Sequence, residues 1–525
     1  MFYTLERRFA KLLHIPERLV DGVGMYRVVT LSLVALSVLS LGASLLNWLA
    51  YSLQALLTAL TIALGIGLGL NIILAKLWRI TANHESAIIT SLILFFMMIP
   101  SAVFASNWQL AAAVALGILS KYLLVYRKQH IVNPAAVGAV LVVVIIGSIN
   151  LVGGTSYNTD IFSWWVANPT LFWPVLILGL LIVFKIRKWT PVLAFIGVGL
   201  TVFLIEEFRL GFLSIDSISL YFVSFPTLFL AFFMLTEPFT MPPTKHSQAV
   251  YGGLVGVLSS TTVFAPFLAM TPELALVLGN LFAYCFRIRQ KLYLKLIAHR
   301  EIATDTREYV FEKPDTFRFL PGQYLEWMLP HKGADSRGLR RYFTIASSPT
   351  ESVLRLALKI MPEGGSTYKQ KLATLDQGEP IIASQLSGDF LLPKDTTTKL
   401  GFIAGGIGVT PFSSQLRHMV DSGQVFDTVL YYCANTVGEL AYKTDFQQMD
   451  LPLQVIPVIA KETVVAPDEA GFITVDMLDR RTPDWRERTW YLSGPPGMVN
   501  AYQALLRQAG LPRRQIETDF FPGLA

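Results

Sequence analysis

Cysteine is almost absent from this chain, which has only Cys285 and Cys433 among its 525 residues. Two thiols so far apart cannot supply the four thiolates of a ferredoxin-type iron–sulfur cluster, and they do not indicate a disulfide-stabilised fold. Charge is also scarce, since charged residues make up 15% of the chain against about 25% in an ordinary soluble domain. The net charge of +6 comes from short basic clusters and not from a basic stripe with interleaved aromatic residues, which argues against nucleic-acid binding.

Long apolar runs are missing from the second half of the chain, and nearly all of them lie before residue 290. A helix needs about 20 apolar residues to cross the hydrocarbon core of a membrane. We predict about ten such helices, of which the sixth and seventh are short and could be tilted or broken. They lie at 27–49, 54–75, 86–105, 108–126, 132–152, 171–185, 190–206, 219–236, 248–266 and 272–288.

Basic residues concentrate in every second loop between these stretches, and the other loops carry only Arg209. The basic loops contain Lys76 and Arg79, Arg127 and Lys128, Lys185, Arg187 and Lys188, Lys245, and Arg287, Arg289 and Lys291. Because loops rich in Lys and Arg stay on the cytoplasmic side, we expect both termini and the second half to be cytoplasmic. Residues 1–19 are basic and amphipathic and lack a cleavage site, so we expect a surface helix there and not a signal peptide.

Two proline-containing segments, Asn133–Gly138 and Thr236–Thr244, stand out in the apolar half. Non-helical backbone at membrane depth is tolerated where it is buried in protein, and Glu237 is expected to face a polar site and not lipid. HIVNPAAVGAVL (130–141) and FLAFFMLTEPFTMPPTKHSQAVYGGLVGVL (229–258) resemble two sequence boxes of the membrane flavoprotein subunits of the Rnf complex and of sodium-translocating NADH:quinone reductase. This resemblance covers about residues 20–290 and implies some ten helices in contact with lipid, with a flavin cofactor.

Subunits of that family carry FMN covalently on the threonine of an extracytoplasmic Ser-Gly-Ala-Thr motif. The matching loop here reads Ala167-Asn168-Pro169-Thr170-Leu171, which keeps the threonine but lacks the serine and the glycine. Covalent FMN at Thr170, a flavin bound there non-covalently and no flavin at all therefore remain open. The same residues are typical of a turn before a helix, with Thr170 near the cap.

After about residue 294 the pattern changes to short alternating runs, such as 324–329 and 353–360, which indicate a small antiparallel barrel up to about 395. Strand and helix patterns then alternate to the end of the chain, as in a parallel α/β sheet. The predicted strands are 400–404, 428–433, 453–459, 489–493 and 515–519, and the predicted helices are 411–421, 439–449, 474–480 and 497–509.

Four motifs in this half carry chemistry, although each is weak alone. Arg341-Tyr342-Phe343-Thr344 offers a guanidinium for a pyrophosphate and an aromatic ring for a flavin, and Gly364-Gly365-Ser366-Thr367 precedes a helix, whose first N–H groups can bind phosphate. Gly405-Gly406-Ile407-Gly408-Val409-Thr410 joins a strand to a helix, where glycines let the backbone approach a dinucleotide. Ser493-Gly494-Pro495 follows another strand.

In this order the motifs resemble those of the ferredoxin–NADP reductase family, over about residues 294–525. The resemblance implies a β-barrel FAD domain and an NAD(P) domain, with Ser493 in place of the usual Cys and Phe343 in place of the usual Tyr. It places Thr344 and Ser493 at the reacting atoms, with Arg341 at the FAD pyrophosphate and Phe343 on the isoalloxazine. The other implied cofactor contacts are Tyr342, Gly365, Ser366, Thr367, Gly405, Gly406, Gly408, Thr410, Gly494, Pro495, and Phe520 or Phe521 as a flavin shield.

The sequence therefore predicts a multidomain chain, with a polytopic helical membrane domain (1–290), an FAD-binding antiparallel barrel (294–395) and an NAD(P)-binding α/β domain (396–525). We expect an FAD-dependent oxidoreductase of the plasma membrane that passes electrons from cytoplasmic NAD(P)H to a flavin in the helical half. From there they would reach an extracytoplasmic acceptor, a quinone or a partner electron-transfer protein.

Three alternatives stay open. The chain could be a reductase that is merely anchored in the membrane. It could be a haem-type ferric reductase, although no predicted helix carries two of His14, His84, His130 and His246. It could also be a redox-driven ion pump that uses Glu206, Glu207 and Glu237. The choice between NADH and NADPH is open as well, because Asn435-Thr436 after the strand 428–433 offers neither an acid nor an arginine.

Overall fold

The computed structural model describes residues 24–78, 82–126, 129–153, 161–186, 188–260, 270–286, 291–331, 333–335, 338–360 and 365–519. The chain forms two compact units, Met1–Arg287 and Ile288–Ala525. The first unit is helical apart from a short antiparallel pair, Val125–Tyr126 with Gln129–His130, and the second is built on two six-stranded β-sheets. The helix predicted within residues 1–19 and the predicted flavin shield at Phe520 or Phe521 lie outside the described residues.

The first unit consists of packed helices around an apolar core. In its described residues these are α1 (Met25–Leu45), α2 (Leu53–Leu77), α3 (His84–Met97), α4 (Trp108–Leu123), α5 (Pro134–Gly153), α6 (Phe172–Ile186), α7 (Trp189–Leu210), α8 (Asp216–Val223), α9 (Thr227–Met234), α10 (Lys245–Ser260) and α11 (Pro272–Phe286).

Four helices in the described part of the chain are long and apolar enough to cross a membrane. They are α1, α2, α6 together with the turn before it (Pro169–Ile186), and α7, with a fifth if α8 and α9 count as one bent span. Helices α3 and α11 and the Pro134–Asn150 part of α5 are apolar but shorter. The prediction of about ten spanning helices is therefore not confirmed.

The predicted stretch 219–236 is not one straight helix, because the chain breaks between α8 and α9 with a bend of 52°. Pro226 lies in the break, where it has no N–H to donate and disfavours helical geometry at Phe225. Beyond it, Leu230–Met234 winds as a wider π-helix. The sixth and seventh stretches, which looked breakable, are instead the continuous helices α6 and α7.

The second unit begins with a six-stranded antiparallel sheet whose strand order is β4-β3-β6-β1-β2-β5. Its strands are β1 (Leu292–Ala303), β2 (Thr306–Glu312), β3 (Tyr324–Met328), β4 (Arg340–Thr344), β5 (Val353–Lys359) and β6 (Pro380–Ser387), and α12 (Thr367–Ala373) lies between β5 and β6. Just past β4, the Ala346 N–H donates to the Arg355 carbonyl on β5 at 2.9 Å. This bond brings the two edge strands together and curls the sheet into a barrel.

A six-stranded parallel sheet follows, with the order β10-β9-β8-β7-β11-β12. Its elements are β7 (Leu400–Gly405), α13 (Thr410–Ser422), β8 (Thr428–Ala434), α14 (Lys443–Gln447), β9 (Leu453–Ile459), β10 (Glu469–Ala470), α15 (Val475–Arg481), β11 (Thr489–Ser493), α16 (Pro496–Gln508) and β12 (Ile516–Asp519). The predicted antiparallel and parallel sheets are both confirmed.

The central strand β7 is buried at every residue, as expected for a parallel strand covered on both faces. One helix differs from its prediction, since 439–449 forms only α14 after a short 3-10 turn at Val437–Glu439. Tyr442, directly before α14, has a left-handed backbone with φ of 60°. A continuous α-helix cannot pass through that conformation.

Candidate functional site

The order of the parallel sheet reverses between β7 and β11, because β8 lies on one side of β7 and β11 on the other. Open α/β sheets bind their ligands at such a switch point, outside the carboxyl ends of the strands. Ser493 at the end of β11 pairs with Ala404 on β7 and with Asp519 on β12. The glycine-rich loop after β7 and the Ser493–Pro495 loop therefore leave the sheet side by side.

Backbone packing between these two loops requires glycine. A Cβ placed on Gly408 would lie 2.5 Å from the Cα of Gly494 and 2.6 Å from the Ser493 carbonyl oxygen. A Cβ on Gly405 would lie 2.5 Å from the sulfur of Met498. Gly405, Gly408 and Gly494 thus hold the two loops in contact, and their direct role is to shape the crevice.

Gly406 differs from its neighbours, because it has a positive φ of 51° and a Cβ there would meet open space. Its backbone is therefore available to a ligand at the switch point. Thr410 opens α13, is buried, and donates its hydroxyl to the Ile407 carbonyl at 3.2 Å, so that it fixes the turn. Pro495 is exposed on the other side of the crevice.

The barrel brings Arg341 and the start of α12 together. The Arg341 guanidinium lies 3.0 Å from an Asp335 oxygen and 5.3 Å from the centre of the Tyr368 ring. The same Asp335 carboxylate accepts a hydrogen bond from the Thr367 N–H at 3.3 Å. Ser366 caps α12 by accepting from the Lys369 N–H, with Gly365 immediately before it. A cation and a helix start thus face one carboxylate, which is the arrangement that an anionic phosphate also needs.

The β4 side chains alternate between two environments. Phe343 packs against the barrel core, with its ring centre 6.0 Å from that of Tyr368. Tyr342 is exposed and donates its hydroxyl to Glu326 at 3.1 Å. Thr344 is buried at the end of the strand. The motif therefore offers one aromatic ring on each side of β4.

Sequence reasoning missed Tyr368 and Tyr324. The Tyr368 hydroxyl is buried and has no hydrogen-bond partner among the described residues. Burial raises the pKa of Tyr368, so its hydroxyl keeps its proton and can donate to a ligand oxygen. Burial, with nearby Asp519 and Asp389, also raises the pKa of Tyr324 on β3. The only available signal for Tyr368 was its position next to Thr367.

These residues fit FAD. Arg341 and the start of α12 match a pyrophosphate, Tyr368 has a hydroxyl to donate, and aromatic rings lie along β4. The exposed ring of Tyr342 stands edge-on to Tyr324 at 5.8 Å between centres.

One helix holds the two halves of the site together. Ser413 and Ser414, on the first turn of α13, donate their hydroxyls to the Ala346 and Ser347 carbonyls at 3.2 and 2.7 Å. Both serines are fully buried. The glycine-rich loop opens this helix, and the Arg341–Thr344 strand runs directly into the two acceptor residues. The nucleotide motif and the barrel motif are therefore positioned against each other.

Thr170 lies in a short 3-10 turn before α6, as the capping interpretation expected. Its N–H donates to the Asn168 side chain at 2.9 Å and its hydroxyl donates to the Trp48 carbonyl at 3.2 Å. The adjacent cavity is lined by apolar side chains and Asn168. Because these lining residues include no cation, they do not fit the phosphate of FMN. Elsewhere in this unit, one Glu237 oxygen lies 3.9 Å from the His130 ring and the other accepts a hydrogen bond from the Thr240 hydroxyl at 3.4 Å, so Glu237 has polar surroundings.

Comparison with known proteins agrees with the site in the second unit. The family model described as "Oxidoreductase NAD-binding domain" matches residues 402–504. The reductase component of propane 2-monooxygenase from Rhodococcus jostii is 30% identical over 217 residues, which are 40% of this chain and 57% of that protein. An NADPH oxidoreductase from Mycobacterium tuberculosis is 27% identical over 219 residues, covering 40% of this chain and 55% of that protein.

Among solved structures, that of an Amycolatopsis cytochrome P450 reductase has a TM-score of 0.39 at 24% identity, covering 45% of this chain and 71% of that one. The chain spans little more than half the length of the first two relatives. The matched motifs, the two sheets and the switch point lead to the same conclusion. The C-terminal region of the chain is an FAD- and NAD-binding oxidoreductase domain that is similar to ferredoxin–NADP reductases.

Proposed function

We propose that the protein is a plasma-membrane NAD(P)H oxidoreductase with its C-terminal unit in the cytoplasm. That unit oxidises NAD(P)H with FAD, and the electrons pass through the helical unit to an extracytoplasmic acceptor or quinone. The observation that carries the oxidoreductase part is the pair of buried bonds from Ser413 and Ser414 to the barrel. These bonds fix the nucleotide crevice relative to the strand that carries Arg341 and Phe343, and hydride transfer depends on such fixed proximity.

The roles of the side chains follow from their positions. Arg341, Ser366 and Thr367 would hold the FAD pyrophosphate, so Asp335 must give up at least part of its contact with the guanidinium. Gly406 would admit the nucleotide backbone, while Gly408 keeps the Ser493 loop in place. The bound FAD supplies the hydride-accepting chemistry, and the protein supplies orientation and exclusion of water.

The helical unit supports a role beyond anchoring. Helices α7 and α10 touch through glycine, since a Cβ on Gly252 would lie 2.2 Å from the Pro191 carbonyl oxygen, and such contacts are typical of membrane helices. The Asn133 N–H donates to the buried Asn280 side chain at 2.8 Å. Buried polar groups and a broken α8–α9 helix are features of membrane proteins that bind or move something. Attachment of FMN at Thr170 remains a prediction without support from the surrounding residues.

A second candidate is a reductase that the helices only anchor and that delivers electrons to a separate protein. The name of the Rhodococcus relative, a reductase component of a monooxygenase, favours this reading. The number of described helices long enough to span the membrane, four or five, is compatible with both candidates.

Anaerobic titration of the purified full-length protein with NADH distinguishes the two. A chain that holds FAD alone accepts about one equivalent of NADH, whereas a second carrier in the helical unit raises that number. We expect more than one equivalent per extracted FAD. A sharp end point at one equivalent would refute passage into the helical unit and leave the anchored reductase. Failure of both NADH and NADPH to bleach the flavin would refute both candidates.

A further inference from the structure

The loop after β8, residues 435–439, lies at the carboxyl edge of the parallel sheet, one strand away from the glycine-rich loop. In doubly wound sheets that bind dinucleotides, the ribose of the adenosine half is recognised at the end of the strand after the glycine-rich turn. An acid there favours a free 2′-hydroxyl, and an arginine favours a 2′-phosphate. This loop is therefore the place at which the protein can distinguish NADH from NADPH.

Two carboxylates converge on the loop. Glu439 accepts hydrogen bonds from the N–H and the side-chain amide of Asn435, at 3.1 and 3.3 Å. Glu462, which follows β9, accepts from the Val437 N–H at 2.8 Å. The neighbouring chain is fixed beneath them, because the Lys461 N–H donates to the Asn435 carbonyl at 2.9 Å. Two N–H groups of the loop, those of Asn435 and Val437, are thus already bonded to carboxylates.

Two cations lie near these carboxylates. The Lys359 ammonium forms an ion pair with Glu439 at 2.9 Å. Burial alone raises the pKa of Glu439, but the hydrogen bonds from Lys359 and Asn435 outweigh burial and lower it, so the carboxylate stays ionised at neutral pH. Glu462 and Lys461 are both exposed and carry opposite charges.

We propose that Glu439 and Glu462 make the protein select NADH over NADPH, an inference that rests on nicotinamide nucleotide oxidation in the proposed function. A carboxylate can accept a hydrogen bond from the 2′-hydroxyl of NADH. The 2′-phosphate of NADPH carries close to two negative charges at neutral pH and meets Glu462 where it would need a donor. Because Glu462 occupies the Val437 N–H, that donor is not available to the phosphate.

The test compares Glu462→Gln with the wild type in the full-length protein. The glutamine oxygen can still accept from Val437, so this change removes the charge and keeps the hydrogen bond. Glu487→Gln is the matched control. Glu487 is an exposed carboxylate that pairs with Lys399, and Lys399 directly precedes the first residue of β7. This pair therefore lies at the edge of the sheet opposite to the nucleotide loops. Two quantities are measured: the binding of NAD⁺ and NADP⁺ by calorimetry, and the rate of flavin bleaching by NADH and NADPH.

We expect the wild type and Glu487→Gln to prefer NAD⁺ by roughly tenfold or more, and Glu462→Gln to gain NADP⁺ affinity by several-fold with little change for NAD⁺. Equal binding of the two nucleotides by the wild type would overturn the inference. A wild-type preference for NADP⁺ that is lost in Lys461→Gln would also overturn the inference. If NAD⁺ binds preferentially but neither reduced nucleotide bleaches the flavin, the selectivity stands and the proposed function fails.

Discussion

Removal of the Glu308 carboxylate should destabilise the oxidoreductase unit strongly. Its side chain on β2 is fully buried and accepts hydrogen bonds from Arg300 at 2.8 Å, Arg355 at 3.1 Å and the Tyr442 hydroxyl at 2.7 Å. The arginines belong to the barrel and Tyr442 to the α/β part. One carboxylate therefore joins the two halves that must align for hydride transfer.

The change Glu308→Gln removes the buried charge that Arg355 and the Tyr442 hydroxyl contact, although Arg355 keeps its ion pair with Glu351 at 2.7 Å. Breaking a buried ion pair costs about 3–5 kcal/mol, but Arg300 is half exposed, so its share is small and we expect about 3 kcal/mol. For a unit of this size that loss corresponds to a fall in Tm of roughly 6–12 °C.

Differential scanning fluorimetry of the full-length protein measures this fall. Tyr442→Phe, which keeps the charge and deletes one hydroxyl, should cost about 1 kcal/mol. The exposed control Glu487→Gln should cost less than about 0.5 kcal/mol. Should Glu308→Gln melt within a degree or two of the wild type, the idea that this carboxylate joins the two halves is wrong.

The pH dependence supplies a second check on Glu308. Burial on its own raises the pKa of Glu308, but hydrogen bonds from Tyr442 and Arg300 and the charge of Arg355 outweigh it and lower the pKa. The stabilisation is therefore complete above the unfolded-state pKa of about 4.3 and is lost as the pH falls through the lower folded-state pKa. The Tm difference between wild type and Glu308→Gln should shrink as the pH is lowered towards 3. A difference that stays constant would contradict this assignment.

Two further changes probe the site itself. Gly408→Ala forces a Cβ to within 2.5 Å of the Gly494 Cα, so flavin bleaching by NADH should slow at least about tenfold, as stopped-flow absorbance would measure. Gly65→Ala, in open space on α2, is its control and should leave the rate unchanged. Ser414→Ala leaves the Ser347 carbonyl without its buried donor and should cost about 1–2 kcal/mol in thermal unfolding. An unaltered bleaching rate in Gly408→Ala would refute the role of glycine in packing the two loops. An unaltered Tm in Ser414→Ala would refute the stabilising role of its hydrogen bond.

Much of the second unit could be predicted because its local signals agree with its packing. The strands 453–459 and 489–493 have the predicted bounds, since each is a short apolar run bounded by turn residues. The helix 439–449 could not be predicted correctly, because the left-handed backbone of Tyr442 accompanies its bond to Glu308, a contact over 134 positions of sequence. Periodicity carries no information on such a contact.

The motifs that contain the site residues could be predicted from the sequence, but the role of each residue could not. The sequence marks Gly405, Gly406 and Gly408 alike, and only the fold distinguishes the glycine that faces open space from those that pack loop against loop. Asp335 was missed because no residue near it in the sequence indicates that its carboxylate contacts Arg341. In the first unit, Pro226 lies within a long apolar run, and this run led to the prediction of a single spanning stretch in place of the two helices α8 and α9.

Electron transfer across a sealed membrane is the sharpest test of whether electrons pass through the helical unit. The full-length protein is reconstituted into vesicles that contain trapped ferricyanide, and NADH is added outside, where it reaches only outward-facing C-terminal units. We expect the trapped ferricyanide to be reduced in step with NADH oxidation. Rapid NADH oxidation by external ferricyanide, with the trapped acceptor left oxidised, would refute electron transfer through the helical unit.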